Sequence, residues 1–418
     1  MISLAFPDGG RRWTLPNVVF ATYALFLAGF YFVPNAVDHY KFYIAAVFLP
    51  GLFLLPAALR LARGSYIWRA LLAYLGYMLL SSLWSADFSV AILWRDVRYT
   101  AYILMFILLT LYFFSRDRQL PDAVLQVVAL VAILAAAGSL VTFPELAALP
   151  ALTEARLVGW GTMDNPNPSA FIYGFFAVFA LDYARRHRGE MLAWIYAIGA
   201  LLIVVFIVLT QSNTALLALA TACVLLLFTD RRDTGATRLA LFTGLALVVV
   251  TAVYLAWVLG FMSGAADLGF MNRLPIWRHV LEQWREAPIL GQGYQLHLLV
   301  DAEGKPALLN YAHSLFLSTL RDGGIVGLVL LLLLYFFALR AGLRMALTQR
   351  RALYLGLFVF GLVCVLVDTD QIVTRPRELW VILWLPLACL TAYEVGLADE
   401  SSARSSVKEA GSSPKKIR

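Results

Sequence analysis

Seven arginines restrict what chemistry this chain can carry out. Arg95, Arg98, Arg273, Arg278, Arg321, Arg375 and Arg377 all sit beside apolar or aromatic sequence, where an unpaired charge is expensive. Each therefore needs an anion. Carboxylates of the chain itself (Asp96, Asp322, Asp368, Asp370 and Glu378) are one source. An anionic ligand is the other, and the set taken together points that way. His313 begins a long apolar run and is either a functional group at the mouth of that run or a residue bonding a loop carbonyl. Asn165 and Asn167, in Gly161-Thr-Met-Asp-Asn-Pro-Asn-Pro168, either meet sugar hydroxyls or cap the helix that follows.

The elements that must position these residues are membrane spans. Of 418 residues, 61% are hydrophobic and 14% charged, against about 25% charged in a soluble domain. Apolar runs of roughly 18 or more residues recur along the chain, as membrane-crossing helices require. About twelve spans are expected, near 16–33, 42–62, 66–84, 97–114, 121–143, 168–184, 191–209, 213–228, 237–259, 313–343, 352–368 and 378–396. Residues 1–259 thus hold nine spans, 260–312 a large loop, 313–396 three more spans, and 397–418 a Ser/Lys/Arg-rich tail expected to be disordered. The net charge of +7 comes from basic residues scattered singly between apolar runs, a flanking pattern that argues against nucleic acid. Cys223, Cys364 and Cys389 lie within apolar runs at no metal or redox spacing. Arg11 and Arg12 precede an apolar run with no small-residue cleavage site, so that run is expected to be a retained helix.

With both termini cytoplasmic, most of the 33 Lys and Arg fall in cytoplasmic segments, as the positive-inside rule requires. The seven arginines then face outward. Within the large outer loop, Arg273 to Ala287 has Leu274, Trp277, Val280, Leu281 and Trp284 at helical spacing, with Asn272 as a candidate N-cap and Pro275 in the first turn. Its two tryptophans suit a helix lying in the membrane interface. The tenth span, from His313 to Arg340, would run roughly 40 Å at about 1.5 Å per residue, longer than a hydrocarbon core of about 30 Å. Its first turns therefore project outward, with His313 at the mouth and Arg321 about two turns deeper. Gly323 and Gly324 allow close approach or a bend there.

Two blocks carry a family resemblance. Asn272-Arg-Leu-Pro-Ile-Trp277 with Pro288-Ile-Leu-Gly-Gln-Gly-Tyr294, then Ala312-His-Ser-Leu-Phe-Leu317 leading to Gly323-Gly-Ile-Val-Gly327, resemble motifs of the O-antigen ligase and O-antigen polymerase superfamily of bacterial membrane glycosyltransferases. Ser314 stands where the family usually has Asn. Gln211-Ser-Asn-Thr214 stands where relatives often carry Ser-Arg, so an arginine contact there is absent or supplied from elsewhere. The resemblance implies an all-α integral membrane protein similar to class C glycosyltransferases, with one large periplasmic loop holding an amphipathic helix.

The reaction it implies takes place on the periplasmic face of a Gram-negative inner membrane. An undecaprenyl-diphosphate-linked glycan is transferred to a hydroxyl of the lipid A–core oligosaccharide without metal or other cofactor; membrane lipids are the remaining partners. Inversion is the expectation for direct displacement, since no carboxylate stands out as a protein nucleophile, but the anomeric outcome is not itself written in the residues. His313 would be the base that takes the acceptor proton, and Arg273 would stabilise the leaving diphosphate. Arg321, then Arg95, Arg98, Arg375 and Arg377, are further candidates for that anion. Asn165, Asn167, Trp277, Gly291, Gly293 and Tyr294 complete the expected substrate site. The alternatives are a polymerase elongating lipid-linked repeats and, from another class, a transporter of lipid-linked glycan. Asp368-Thr-Asp370 has the Asp-x-Asp form of many metal-dependent glycosyltransferases, although a pattern this short recurs by chance. Sugar identity, glycan length and oligomeric state are not written in the residues.

Overall fold

A computed structural model describes residues 14–117, 119–144, 155–229, 273–294, 298–302, 305–309, 312–369 and 371–396. In chain order the helices are α1 (Leu15–Gly29), α2 (Ala36–Gly51), α3 (Leu55–Ala62), α4 (Tyr66–Ser81), α5 (Val90–Phe114), α6 (Leu120–Val141), α7 (Pro166–Arg186), α8 (Met191–Thr210), α9 (Asn213–Thr229), α10 (Arg273–Glu286), α11 (Leu315–Gln349), α12 (Leu353–Val367) and α13 (Trp380–Gly396). Among the described residues five helical stretches are long and apolar enough to cross a membrane, six if the bent pair α2 and α3 counts as one. Shorter apolar helices (α1, α9, α12 and α13) pack among them. The expected span at 237–259, Asn272 and the 397–418 tail lie outside the described residues.

The helical architecture expected of a transmembrane protein is present, with local departures. Span 42–62 is not straight: α2 and α3 meet at a 79° bend. Pro56, in the first turn of α3, has no N–H to continue the ladder, and its ring displaces the carbonyl four residues back. The fourth span begins earlier than its hydropathy suggests, at Val90, so Arg95, Asp96 and Arg98 belong to the first turns of α5. In the large loop a short antiparallel hairpin, β1 (Leu298–Ala302) with β2 (Lys305–Leu309), pairs Leu298 with Leu309 and Ala302 with Lys305.

One continuous core runs through the bundle, and its largest buried side chains are aromatic. Trp380 packs edge-on to Tyr43 and Phe26, while Tyr23 stacks on Phe106 and bonds Thr110 at 2.7 Å. With lipid no less apolar than the interior, such packing and side-chain hydrogen bonds hold helices together rather than transfer from water.

The polar contacts sort into two ends. At one, Glu394 accepts from the Ser65 hydroxyl at 2.6 Å and from Ile67 N–H. Asp122 there pairs with Arg351 and accepts from Tyr354, and Asp182 takes Arg185 and Arg186. At the other end Leu157 N–H donates to Leu209 C=O, and Thr162 N–H to Phe30 C=O. Connections that are distant in sequence gather at this second end.

Candidate active site

A single aspartate organises that end. Asp368 closes α12, where its backbone N–H still donates to Cys364 C=O, and its side chain is 5% exposed. Buried carboxylates need partners, and this one receives three from elements far apart in the chain. Arg273 Nη2 donates to Oδ1 at 2.8 Å, Asn167 Nδ2 donates to Oδ2 at 2.7 Å, and His313 Nδ1 lies 3.3 Å from Oδ1.

Each partner is fixed by its own element. Arg273 is the first residue of α10, and its Nη1 donates to Val367 C=O. Trp277, one turn later, donates its indole N–H to Ala312 C=O at 3.0 Å, and Val280 packs with Ala312, Ile276 and Leu317. The face of α10 that carries the arginine thus also grips the residue before His313. His313 has a left-handed backbone, φ 51°, a conformation that costs a non-glycine residue about 1–3 kcal/mol. Ser314 follows as the N-cap of α11, accepting from Leu317 N–H. Here the serine in the usual asparagine position still bonds the helix start.

On the other flank Asn165 caps α7 by accepting from Asn167 N–H at 3.0 Å, which directs the Asn167 amide at Asp368. Arg156 Nη2 donates to Asn167 Oδ1 at 2.6 Å, and its Nε donates to Thr210 C=O at 2.9 Å. Gln211 has a left-handed backbone (φ 56°) and donates to Ala155 C=O. An arginine from the loop before α7 therefore lies against the turn where Gln211 leaves the chain without one. Partial withdrawal from water pulls the Arg156 guanidinium below its ordinary range, and Asp368 opposes that shift.

Chemically, a buried ionised carboxylate can only accept hydrogen bonds. In the tautomer with its ring proton on Nδ1, His313 donates to Asp368 Oδ1. A carboxylate that orients an imidazole beside a guanidinium is an arrangement suited to base catalysis next to a developing anion.

The other expected site residues lie apart from this hub. Arg321 is 5% exposed and bonded to Asp322 at 2.6 Å, so its guanidinium faces the interior. Gly291, Gly293 and Tyr294 belong to a segment laid across α11 at Gly324, whose backbone is non-helical (φ 61°, ψ −161°). Gln292 and Gly293 N–H donate to Arg321 and Asp322 C=O, and Ile325 and Val326 N–H donate to Pro288 and Ile289 C=O. A Cβ at Gly291 would sit 2.3 Å from Asp322 O, and one at Gly324 would sit 2.3 Å from Ile289 O. These glycines permit backbone-to-backbone contact. Tyr294 is buried and accepts from Val373 N–H; burial first, then Asp96, push its phenol well above its usual range.

Most of the seven arginines meet carboxylates of the chain. Arg95 pairs with Asp96, Arg278 with Glu282 and Arg377 with Glu378, in addition to Arg273 and Arg321. Arg98 lies over the Tyr99 ring at 5.8 Å, and Arg375 is exposed. The shared ligand that sequence suggested for all seven is thus unnecessary for most of them, because three of the partners are sequence neighbours. Sequence did not select Arg156, and it weighed Asp368 only as a partner or metal ligand. Arg156 beside the Asn-Pro-Asn stretch was the available signal. Among the described residues no group of three or more His, Cys, Asp or Glu is placed to hold a metal; Asp370 lies outside them.

Known proteins share this sequence pattern. Residues 198–332 match the family described as O-antigen ligase. Across 385 residues, 91% of this chain and 90% of the relative, the sequence is 30% identical to an O-antigen ligase of Pseudomonas aeruginosa.

Proposed function

The chain belongs to the O-antigen ligase family, and from that premise we propose that it moves a glycan from undecaprenyl diphosphate to a hydroxyl of lipid A–core, at the Asp368 end of its bundle. One observation carries the proposal: His313 and Arg273 converge on the buried carboxylate of Asp368.

In this reading His313 Nε2 takes the acceptor hydroxyl proton as the oxygen bonds to the anomeric carbon. The bond from that carbon to the diphosphate oxygen breaks, and its electron pair leaves with the diphosphate. Arg273 stabilises the charge that develops there, a contribution of a few kcal/mol per donor. Asp368 holds the imidazole in the required tautomer and steadies it once protonated. Direct displacement without a protein nucleophile inverts the anomeric centre, and no step calls on a metal.

The Asp368 end is read as periplasmic and the end holding Glu394, Asp122 and Asp182 as cytoplasmic, in a Gram-negative inner membrane. The supporting observation is that Arg116, Arg185, Arg186, Arg340, Arg344 and Arg351 gather at the latter end, the bias cytoplasmic segments carry. Arg95, Arg98, Arg375 and Arg377 are retained as outer-rim contacts for substrate, with Asn165, Asn167, Trp277 and Tyr294 shaping the site behind them. Arg321, Gly291 and Gly293 serve the site by fixing the α11 break.

The test is transfer by purified protein from a diphosphate-linked lipid glycan, offered either lipid A–core or a second lipid-linked repeat. Modified lipid A–core is the expected product. Elongation of the lipid-linked repeat instead would make the protein a polymerase, and no transfer to either acceptor would overturn the assignment.

A further inference from the structure

One cation at the Asp368 hub has no part in the steps above. Arg156 spends two of its five N–H donors on the protein, Nε on Thr210 C=O and one Nη2 hydrogen on Asn167 Oδ1. Those two lie along one edge of the guanidinium. The other edge, Nη1 with the second Nη2 hydrogen, is the fork that grips two oxygens of one phosphoryl group. The residue itself is exposed.

The charge balance points the same way. Among the described residues two guanidinium groups, Arg156 and Arg273, are linked to the hub, and one carboxylate serves both. Asp368 acts on Arg156 only at a distance, through Asn167, because its own oxygens are taken by Arg273, Asn167 and His313. One positive charge is left over in a place partly withdrawn from water, where an anion gains most from binding. Arg156 is also held by a backbone carbonyl at the end of α8 and by a side chain capped into α7. It is therefore pre-aimed, and binding a ligand costs it little side-chain freedom.

We propose that Arg156 is a second phosphoryl-binding residue, gripping the diphosphate of the lipid-linked donor from the side of Asp368 opposite Arg273. This rests on the donor chemistry proposed above. Phosphoryl groups could arrive with the donor or on the acceptor, and kinetics separate the two sources.

The experiment uses the full chain in nanodiscs: wild type, Arg156→Ala, Arg156→Lys, and Arg156→Ala combined with Gln211→Arg. Donor and acceptor concentrations are varied independently, and binding of unglycosylated undecaprenyl diphosphate is measured by calorimetry. Arg156→Ala should raise the donor KM and weaken diphosphate binding, each about tenfold or more, and leave the acceptor KM unchanged, as expected for loss of a charge-assisted bidentate contact. Arg156→Lys, which keeps the charge without the fork, should fall between the two. Gln211→Arg should recover part of the loss, since the Gln211 side chain already ends at Ala155 C=O.

Unchanged donor KM and diphosphate binding in both single variants would overturn the proposal, as would an effect confined to the acceptor KM. Should Arg156→Ala not fold, the Lys variant decides by the same two readouts. If wild type bound undecaprenyl diphosphate through Arg156 yet transferred no glycan, the ligase assignment would fail and this proposal would stand.

Discussion

At the level of single residues, the site depends on how Asp368 treats its neighbours. His313→Ala should lower turnover by about 10²–10⁴-fold, the range a general base contributes, with little change in donor KM. Asp368→Asn is the sharper variant. The amide keeps the size and can still accept one bond, but its NH₂ facing Nδ1 would favour the tautomer with the proton on Nε2. Turnover should fall by about 10²-fold or more. Melting temperature should drop as well, because Arg273 loses its counter-charge in a site where it is 12% exposed. Transfer rates set beside thermal melts in detergent check both effects. His313 and Arg273 were legible in the sequence because each sits in a short motif. Asp368 was weighed only as an arginine partner or in the Asp368-Thr-Asp370 pattern, because its place at the hub comes from three contacts at sequence distances only folding can close. Arg95, Arg321 and Arg377 show the converse: each adjoins the acid that pairs with it, and adjacency was the signal to weigh.

At the level of elements, two joints set the geometry. α10 delivers Arg273 and, through Trp277, holds the backbone before His313. Trp277→Phe removes that one hydrogen bond, a loss of about 0.5–1.5 kcal/mol, and should reduce turnover while leaving donor KM near its wild-type value. The second joint is the break in α11. Gly324→Ala places a Cβ 2.3 Å from Ile289 O at a positive φ, so it should destabilise by about 1–3 kcal/mol or more, read as a lowered melting temperature. An alanine at an exposed position of the same helix, Leu332→Ala, should melt near wild type. Among the described residues, most helices lie on apolar runs, because lipid-crossing helices must be apolar whatever they pack against. The bend between α2 and α3 and the docking of Pro288–Tyr294 at Gly324 were not legible in those runs, because proline and glycine mark where a backbone can depart from regularity without saying what it will meet. The hairpin β1–β2 left no hydropathy signal of its own.

At the level of the whole molecule, the proposed function requires the Asp368 end to face the compartment where a lipid-linked glycan donor would be presented. The natural cysteines are buried, so an impermeant maleimide should leave wild type unlabelled. Arg375→Cys, at an exposed position, should be labelled in intact cells treated to open only the outer membrane. Arg344→Cys, at the opposite end, should react only after the inner membrane is broken; reversed labelling would invert the topology. The basic residues pointed to this orientation from sequence, since their distribution relative to apolar runs needs no tertiary contact to be read. The most direct measurement of the central claim is transfer by purified wild type, His313→Ala and Asp368→Asn to lipid A–core from a diphosphate-linked donor, with the acceptor product weighed by mass spectrometry. Glycan-bearing lipid A–core from wild type, and about a hundredfold less or none from either variant, is the predicted result. Wild-type rates from both variants would contradict it, because the convergence on Asp368 would then play no part in the chemistry.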